Sequence, residues 1–327
     1  MTQEDLGLQV APIFRPTRER VGLIVNGANA AAAIKTIAAA EAAGVQQIWM
    51  AQPPWSPDVL TTLAAAAIKT SRVHLGTSIV PTYPRHPIVL AQQALSLYDI
   101  APGRLRLGIG PSHRAIIEDM YGLPQTKPLV HLREYVKVLH SALWDGKVDH
   151  HGEFFNIVIQ FPRTAQIPVL ISTLGKKAFQ LAGEIADGAL SWMCPVPYLL
   201  DTGIPSLRKA ATANGRSNPP PLVAHVLVAL CEDHDSVMVA GHQMMDMYAK
   251  FPFYVKMFAA AGFPLTSDKK VTDDLVNNMI ISGHEATAAA SFTKLLTAGL
   301  DELMVSLVPI VDEDYEQTQL MRLIGQL

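Results

Sequence analysis

Three short polar segments, each following a strand-like apolar run, carry the residue types that chemistry needs. The first is Thr77-Ser78-Ile79, inside the run Val73 to Val80 and followed by the stiff cationic turn Tyr83-Pro84-Arg85-His86-Pro87. The second is Gly108-Ile109-Gly110-Pro111-Ser112-His113, and the third is Ser172-Thr173-Leu174-Gly175-Lys176-Lys177. A histidine just past a strand titrates near neutrality and can donate to a developing oxyanion or amine, which makes His113 the candidate acid. Ser112-His113 also suits plain helix capping. The Ser172–Lys177 turn precedes a helical pattern, so its free N–H groups and the positive helix end suit a phosphate. An ordinary capped turn with solvated lysines reads the same way. Arg85 could neutralise an anionic tail or a phosphate, although an arginine on a loop is usually solvated. Gly108 and Gly110 allow close backbone approach to a flat ring. They are not a dinucleotide fingerprint, because His113 stands where the third glycine belongs.

Other chemistries lack their residues. Ser112 has no Gly-x-Ser-x-Gly context. His150 and His151 are adjacent, and neighbours in a strand point to opposite faces. Cys194 and Cys231 have no metal-type spacing, and His284-Glu285 reads as a helix start, so no metal site is expected. A bound redox cofactor would bring the reactive atom itself and explain this pattern.

The elements that must position these residues alternate. Strand-like runs fall at Val21–Asn26, Gln47–Ala51, Val73–Val80, Leu105–Gly110, Pro168–Ser172, Gly188–Trp192, Leu222–Leu230 and Glu302–Leu307. Asn29 is placed to cap an alanine-rich helix ended by Gly44, and Ser56-Pro57-Asp58 opens the next helix. Eight strand–helix units predict a (β/α)8 TIM barrel, with a doubly wound sheet as the alternative. Two segments interrupt the alternation, after strands four and seven. Residues 144–166 read as a β-hairpin turning at Gly152-Glu153. Residues 232–300 are far longer than one crossover helix and carry Met244, Met245, Met247, Tyr248, Phe251, Phe253, Tyr254, Met257 and Phe258. That set fits either a buried helix face or the wall of an apolar pocket. The whole chain, 1–327, reads as one domain with residues 1–20 as an N-terminal extension.

Composition narrows the partners. Hydrophobic residues make up 49% and charged residues 17% of the 327 residues, enough for a large core. A net charge of −3 gives no reason to expect nucleic acid, and no apolar run has the length of a membrane span. The acidic start Met1-Thr2-Gln3-Glu4-Asp5-Leu6 lacks the layout of a signal peptide, and the two separated cysteines suit reduced thiols. A cytoplasmic protein with a small-molecule partner is expected.

Several segments together resemble the luciferase-like flavin and deazaflavin oxidoreductases, and among them the branch using coenzyme F420. They are Leu75-Gly76-Thr77-Ser78-Ile79, Arg85-His86-Pro87, Pro102-Gly103-Arg104, Leu107 to His113, Arg133-Glu134-Tyr135 and Leu181 to Gly188. The resemblance implies a (β/α)8 barrel with an insertion-built lid, a homodimer, and a non-prolyl cis bond at Ser78–Ile79 against the cofactor ring. It also implies that Leu174 and Gly175 hold the cofactor phosphate, with Ser172, Thr173 and Lys176 nearby, and that Thr77, Gly110 and Ser112 line the cofactor. His113 falls where related dehydrogenases carry a carboxylate. Several relatives have an acid or histidine just after strand two, where this chain has Gln52-Pro53-Pro54-Trp55. Gln52 can hydrogen-bond but cannot serve as a general acid. The expected activity is hydride transfer between deazaflavin C5 and a small carbonyl, imine or activated alkene, with His113 and Gln52 as catalytic groups and Trp55 and Tyr83 shaping the pocket. The alternatives are an FMN-dependent monooxygenase and a non-catalytic flavin-binding protein.

Overall fold

A computed structural model of the chain describes residues 15–327. Residues 1–14, with the acidic start and most of the expected N-terminal extension, lie outside the described residues. Eight strands among the described residues form a closed parallel barrel: β1 Val21–Ile24, β2 Gln47–Met50, β3 His74–Thr77, β4 Leu105–Gly110, β5 Val169–Thr173, β6 Gly188–Ser191, β7 Leu222–Ala229 and β8 Glu302–Leu307. Each pairs in parallel with the next, and β8 pairs back onto β1. Closure excludes the doubly wound alternative, a distinction that local patterning cannot make.

Local signals place most helix starts. Asn29 Oδ1 accepts from Ala32 N at 2.9 Å and caps the helix Ala30–Ala42. His86 caps Pro87–Ile100, with Pro87 in its first turn. The helix expected at Ser56 begins later. Asp58 is its cap, and Ser56 Oγ instead donates to Pro53 O. The expected third strand is broken. After Thr77 the Ser78–Ile79 bond is cis, and Val80–Pro81 resumes pairing with β4. The hairpin forms from Lys147–His151 and Asn156–Gln160. Within 232–300, only the helices His234–Tyr248, Pro252–Ala260 and Asp273–Met279 with the strand Ile280–Ser282 are additional. Glu285–Thr297 is the crossover helix into β8.

The barrel interior is filled by Ile24, Trp49, Leu170, Leu190, Val223 and Met304. Trp49 is fully buried, and the positions a side chain would take at Gly22 and Gly76 are occupied by its indole. Below it, at the N-terminal mouth, Glu302 accepts from Arg106 at 2.6 Å, Gln47 at 3.0 Å and Arg15 at 3.1 Å. Burial pushes the Glu302 carboxyl up, but Arg106, Arg15 and Gln47 together hold it below its ordinary range. Glu302→Ala leaves Arg106 without its buried partner, so unfolding in urea should show a loss of about 3–5 kcal/mol with an unchanged slope. A loss under about 1 kcal/mol would mean that water replaces the carboxylate.

Candidate active site

The C-terminal ends of the strands surround a cavity of about 680 Å³ at the opposite mouth. This is where barrels of this kind assemble sites from several loops. Asn26 follows β1, Ala51 to Trp55 follow β2, Ser78 and Ile79 follow β3, and Pro111 to His113 follow β4. Ser172 to Ala178 close β5 and open the next helix, and Trp192 follows β6. Leu190 and Met304 rise from the barrel core, while Met247, Tyr248, Phe253 and Tyr254 descend from the insertion. The methionine-rich segment is thus divided. Met245, Met257 and Phe258 are buried in packing, while its other face is cavity wall.

His113 lies in this cavity, stacked on Phe251 with centroids 4.3 Å apart and 5.3 Å from Tyr254. Its Nδ1 is buried without a partner among the described residues. Burial lowers its pKa from 6.5 to about 4. The sequence expectation of a group titrating near neutrality is therefore corrected, because its aromatic neighbours remove the water that would solvate an imidazolium. The neutral ring still offers one N–H donor and one acceptor.

After the neighbouring strand β5, no side chain caps the helix Lys176–Ile185 at Gly175; Ala178 N donates to Gly175 O at 2.8 Å, while the N–H groups of Lys176 and Lys177 have no intrahelical acceptor. A side chain added at Gly175 would meet nothing within 4 Å, so this turn is open space beside Lys176 and Lys177. Tyr198 Oη fixes the turn by donating to Leu174 O at 3.0 Å. At the cavity floor, Ser78 Oγ is buried and has no partner among the described residues. Ser112 lines the cavity at φ 60° and Ser172 lines it beside β5.

Other expected residues are placed differently. Thr77 Oγ1 is engaged by the neighbouring strand β4, donating to Gly108 O at 2.7 Å and accepting from Gly108 N at 2.8 Å. Thr173 borders the cavity, but its hydroxyl donates to Leu190 O. The space above Gly110 is filled by Ser172 and Ile79, and that above Gly108 by Thr77 O, so a side chain at either glycine would break the packing between strands. Gln52 borders the cavity, yet its Oε1 accepts from Val59 N at 2.6 Å and its Nε2 donates to Pro53 O at 3.3 Å and to Ser56 Oγ and Pro57 O at 3.4 Å, so both ends of the amide are tied to its own loop. Trp55 stands at the mouth, 72% exposed. Tyr83 is outside the cavity lining: it stacks on His131 at 4.0 Å and donates to Thr126 O. Arg85 pairs with Asp58.

A family model for luciferase-like monooxygenases matches residues 12–302. The chain belongs to the luciferase-like monooxygenase family. An uncharacterised protein of Mycobacterium tuberculosis is 31% identical over 66% of this chain and 67% of its own length. An F420-dependent glucose-6-phosphate dehydrogenase of Kineococcus radiotolerans is 32% identical over 54% of this chain and 57% of that protein. The coenzyme F420-dependent tetrahydromethanopterin reductase of Methanopyrus kandleri superposes with a TM-score of 0.78 at 22% identity, covering 94% of this chain and 97% of that one.

Much of what makes this luciferase-like sequence recognisable is scaffold. Glu134 accepts from the backbone N–H groups of Glu153, Phe154 and Phe155 and so holds the hairpin, and Tyr135 Oη donates to Arg85 O at 2.8 Å. Arg104 donates to Ala67 O and Thr70 Oγ1. Sequence reading missed Asn26 and Trp192 as cavity residues. Only the length and apolar character of the 232–300 segment pointed towards Tyr248 and Tyr254.

His113, His131 and His225 are held neutral in the luciferase-like fold by burial, at about 4, 4 and 3 respectively. Their unfolded counterparts bind protons from about 6.5 downward, so the unfolded state is the one favoured by acid. Stability should be level above pH 6.5 and fall towards pH 4 in urea titrations, with a shallower fall in His113→Asn. An equal slope in that variant would mean that His113 is solvated in solution.

Proposed function

We propose that this chain is a coenzyme F420-dependent oxidoreductase acting on a small organic substrate of the carbonyl, imine or activated alkene class. The observation that carries the reading is the pairing, in one cavity, of an uncapped, lysine-flanked helix start with a floor that bears an unpartnered buried hydroxyl. The Gly175–Lys177 turn suits a phosphate. Ser78 Oγ and the Ile79 side chain suit the polar edge and face of a flat ring. Relatives named F420-dependent glucose-6-phosphate dehydrogenase and 5,10-methylenetetrahydromethanopterin reductase support this choice of cofactor.

When bound, the deazaflavin supplies hydride chemistry at C5. The chain's own residues do the rest. Gly175, Lys176 and Lys177 neutralise and fix the phosphate end, while Ile79 supports the ring. His113, neutral at pH 7, donates one hydrogen bond to the substrate heteroatom and orients it. Met247, Tyr248, Phe253 and Tyr254 exclude water from above. Gln52 acts only through the loop it ties to the helix Val59–Lys69, which keeps Trp55 at the mouth. The reading carries with it a cytoplasmic homodimer, and size-exclusion chromatography checks the dimer.

Titration of the apo-protein with oxidised F420 and with FMN, followed by tryptophan quenching, tests the cofactor. Tight F420 and weak FMN binding is expected. The reverse order would replace this reading with an FMN-dependent monooxygenase, and binding of neither would remove the cradle. His113→Ala should cut turnover about 10²- to 10⁴-fold while F420 affinity stays nearly constant. A parallel loss of both would make His113 a cofactor ligand, and no turnover of any carbonyl, imine or enone would leave a flavin-binding protein.

A further inference from the structure

The charged side chains bordering the cavity are Lys176 and Lys177, both at the helix start read above as the phosphate cradle. No aspartate, glutamate or arginine lines it among the described residues. His113 is neutral at pH 7 because of its burial. Beyond the two lysines, much of the wall is a run of aromatic rings. His113 and Tyr254 have centroids 5.3 Å apart, and Tyr254 meets Tyr248 edge to face at 4.9 Å. Such a wall offers area and ring contacts to a planar apolar molecule, and nothing that offsets desolvation of a second ionic group.

One donor on this wall is already aimed. Trp192 Nε1 donates to Tyr248 Oη at 2.8 Å. The indole is itself fixed, stacked on His225 at 4.0 Å and within 6° of parallel. His225 is held in turn, accepting from Met193 N at Nδ1, which leaves its Nε2–H to donate to Ser306 Oγ at 2.9 Å. With one lone pair of Tyr248 engaged by Trp192, the phenol proton must point elsewhere, and no acceptor for it exists among the described residues. Tyr254, by contrast, has no partner that would set its hydroxyl.

Resting on the F420 reading, we infer that the substrate is an uncharged planar molecule, aromatic or conjugated, whose single carbonyl oxygen takes one hydrogen bond from Tyr248 Oη beside the one from His113. Trp192 is a positioning residue, acting only through Tyr248. Sugar phosphates and carboxylates are excluded, since the cavity's cations are committed to the cofactor.

The test begins with F420 binding to the full chain and continues with the F420-loaded protein titrated with acetophenone, benzoate and glucose 6-phosphate. Difference infrared spectra of carbonyl-labelled acetophenone report the hydrogen bond directly. Acetophenone should bind where the two anions do not, with its carbonyl stretch moved to lower wavenumber. Tyr248→Phe should reduce that movement to the part that His113 supplies and weaken acetophenone roughly 10-fold, the worth of one hydrogen bond. Trp192→Phe, which keeps the ring stack and removes the indole N–H, should broaden the band and weaken binding by less. Absence of F420 binding overturns both the cofactor reading and this one. F420 binding followed by a tighter anion, by no acetophenone binding, or by the same carbonyl band in wild type and Tyr248→Phe overturns this inference alone.

Discussion

The burial of one indole in the middle of the barrel sets the geometry of everything above and below it. Trp49 projects inward from β2 into space left by the absent side chains of Gly22 and Gly76 on the neighbouring strands. A small barrel must be filled by side chains, and a bulky ring in one position demands small residues beside it. Arg106 lies over the indole, 4.9 Å from its centroid, and the ion pair with Glu302 seals the N-terminal mouth. On the other side, Leu190 and Met304 belong to the same packed layer as Trp49, and they form the base of the cavity. The depth of the site is therefore decided by how the barrel is plugged.

Charge is segregated along the barrel axis. The lower mouth holds a carboxylate surrounded by arginines, with the carboxyl kept ionised by its partners. The upper cavity has cations at one edge only, and elsewhere its titratable groups are driven to their neutral forms. Burial lowers His113 and raises the phenols of Tyr248 and Tyr254. A low-dielectric pocket with one positive rim orients a bound anion strongly and disfavours a second one. The same desolvation changes the part His113 can play, from a charged acid to a hydrogen-bond donor.

The residues that made the sequence recognisable and the residues that form the site overlap only in part. Thr77, Gly108 and Gly110 belong to the recognisable segments, but they lock β3, β4 and β5 together. Glu134 and Tyr135 secure the hairpin and the Arg85 loop. Such positions tolerate few alternatives because backbone atoms are their partners, so they are legible as motifs whatever the substrate. Tyr248, Tyr254 and Trp192 carry no motif, since many apolar residues would pack equally well in the insertion.

The alternation of strands and helices, the cap at Asn29 and the C-terminal glycine at Gly44 were determined by the sequence alone, because each depends on neighbours within a few residues. So was the assembly of polar segments at the strand ends, which follows from the parallel order of the units. Closure of the barrel, the capture of Gln52 by Val59 N, the turning of Tyr83 onto His131 and the neutrality of His113 were decided only by tertiary structure. Each of these depends on which atoms compete for a side chain across the loops, and on how much water remains once the insertion has folded over the cavity. Neither the competitors nor the missing water is written in the local pattern of residues.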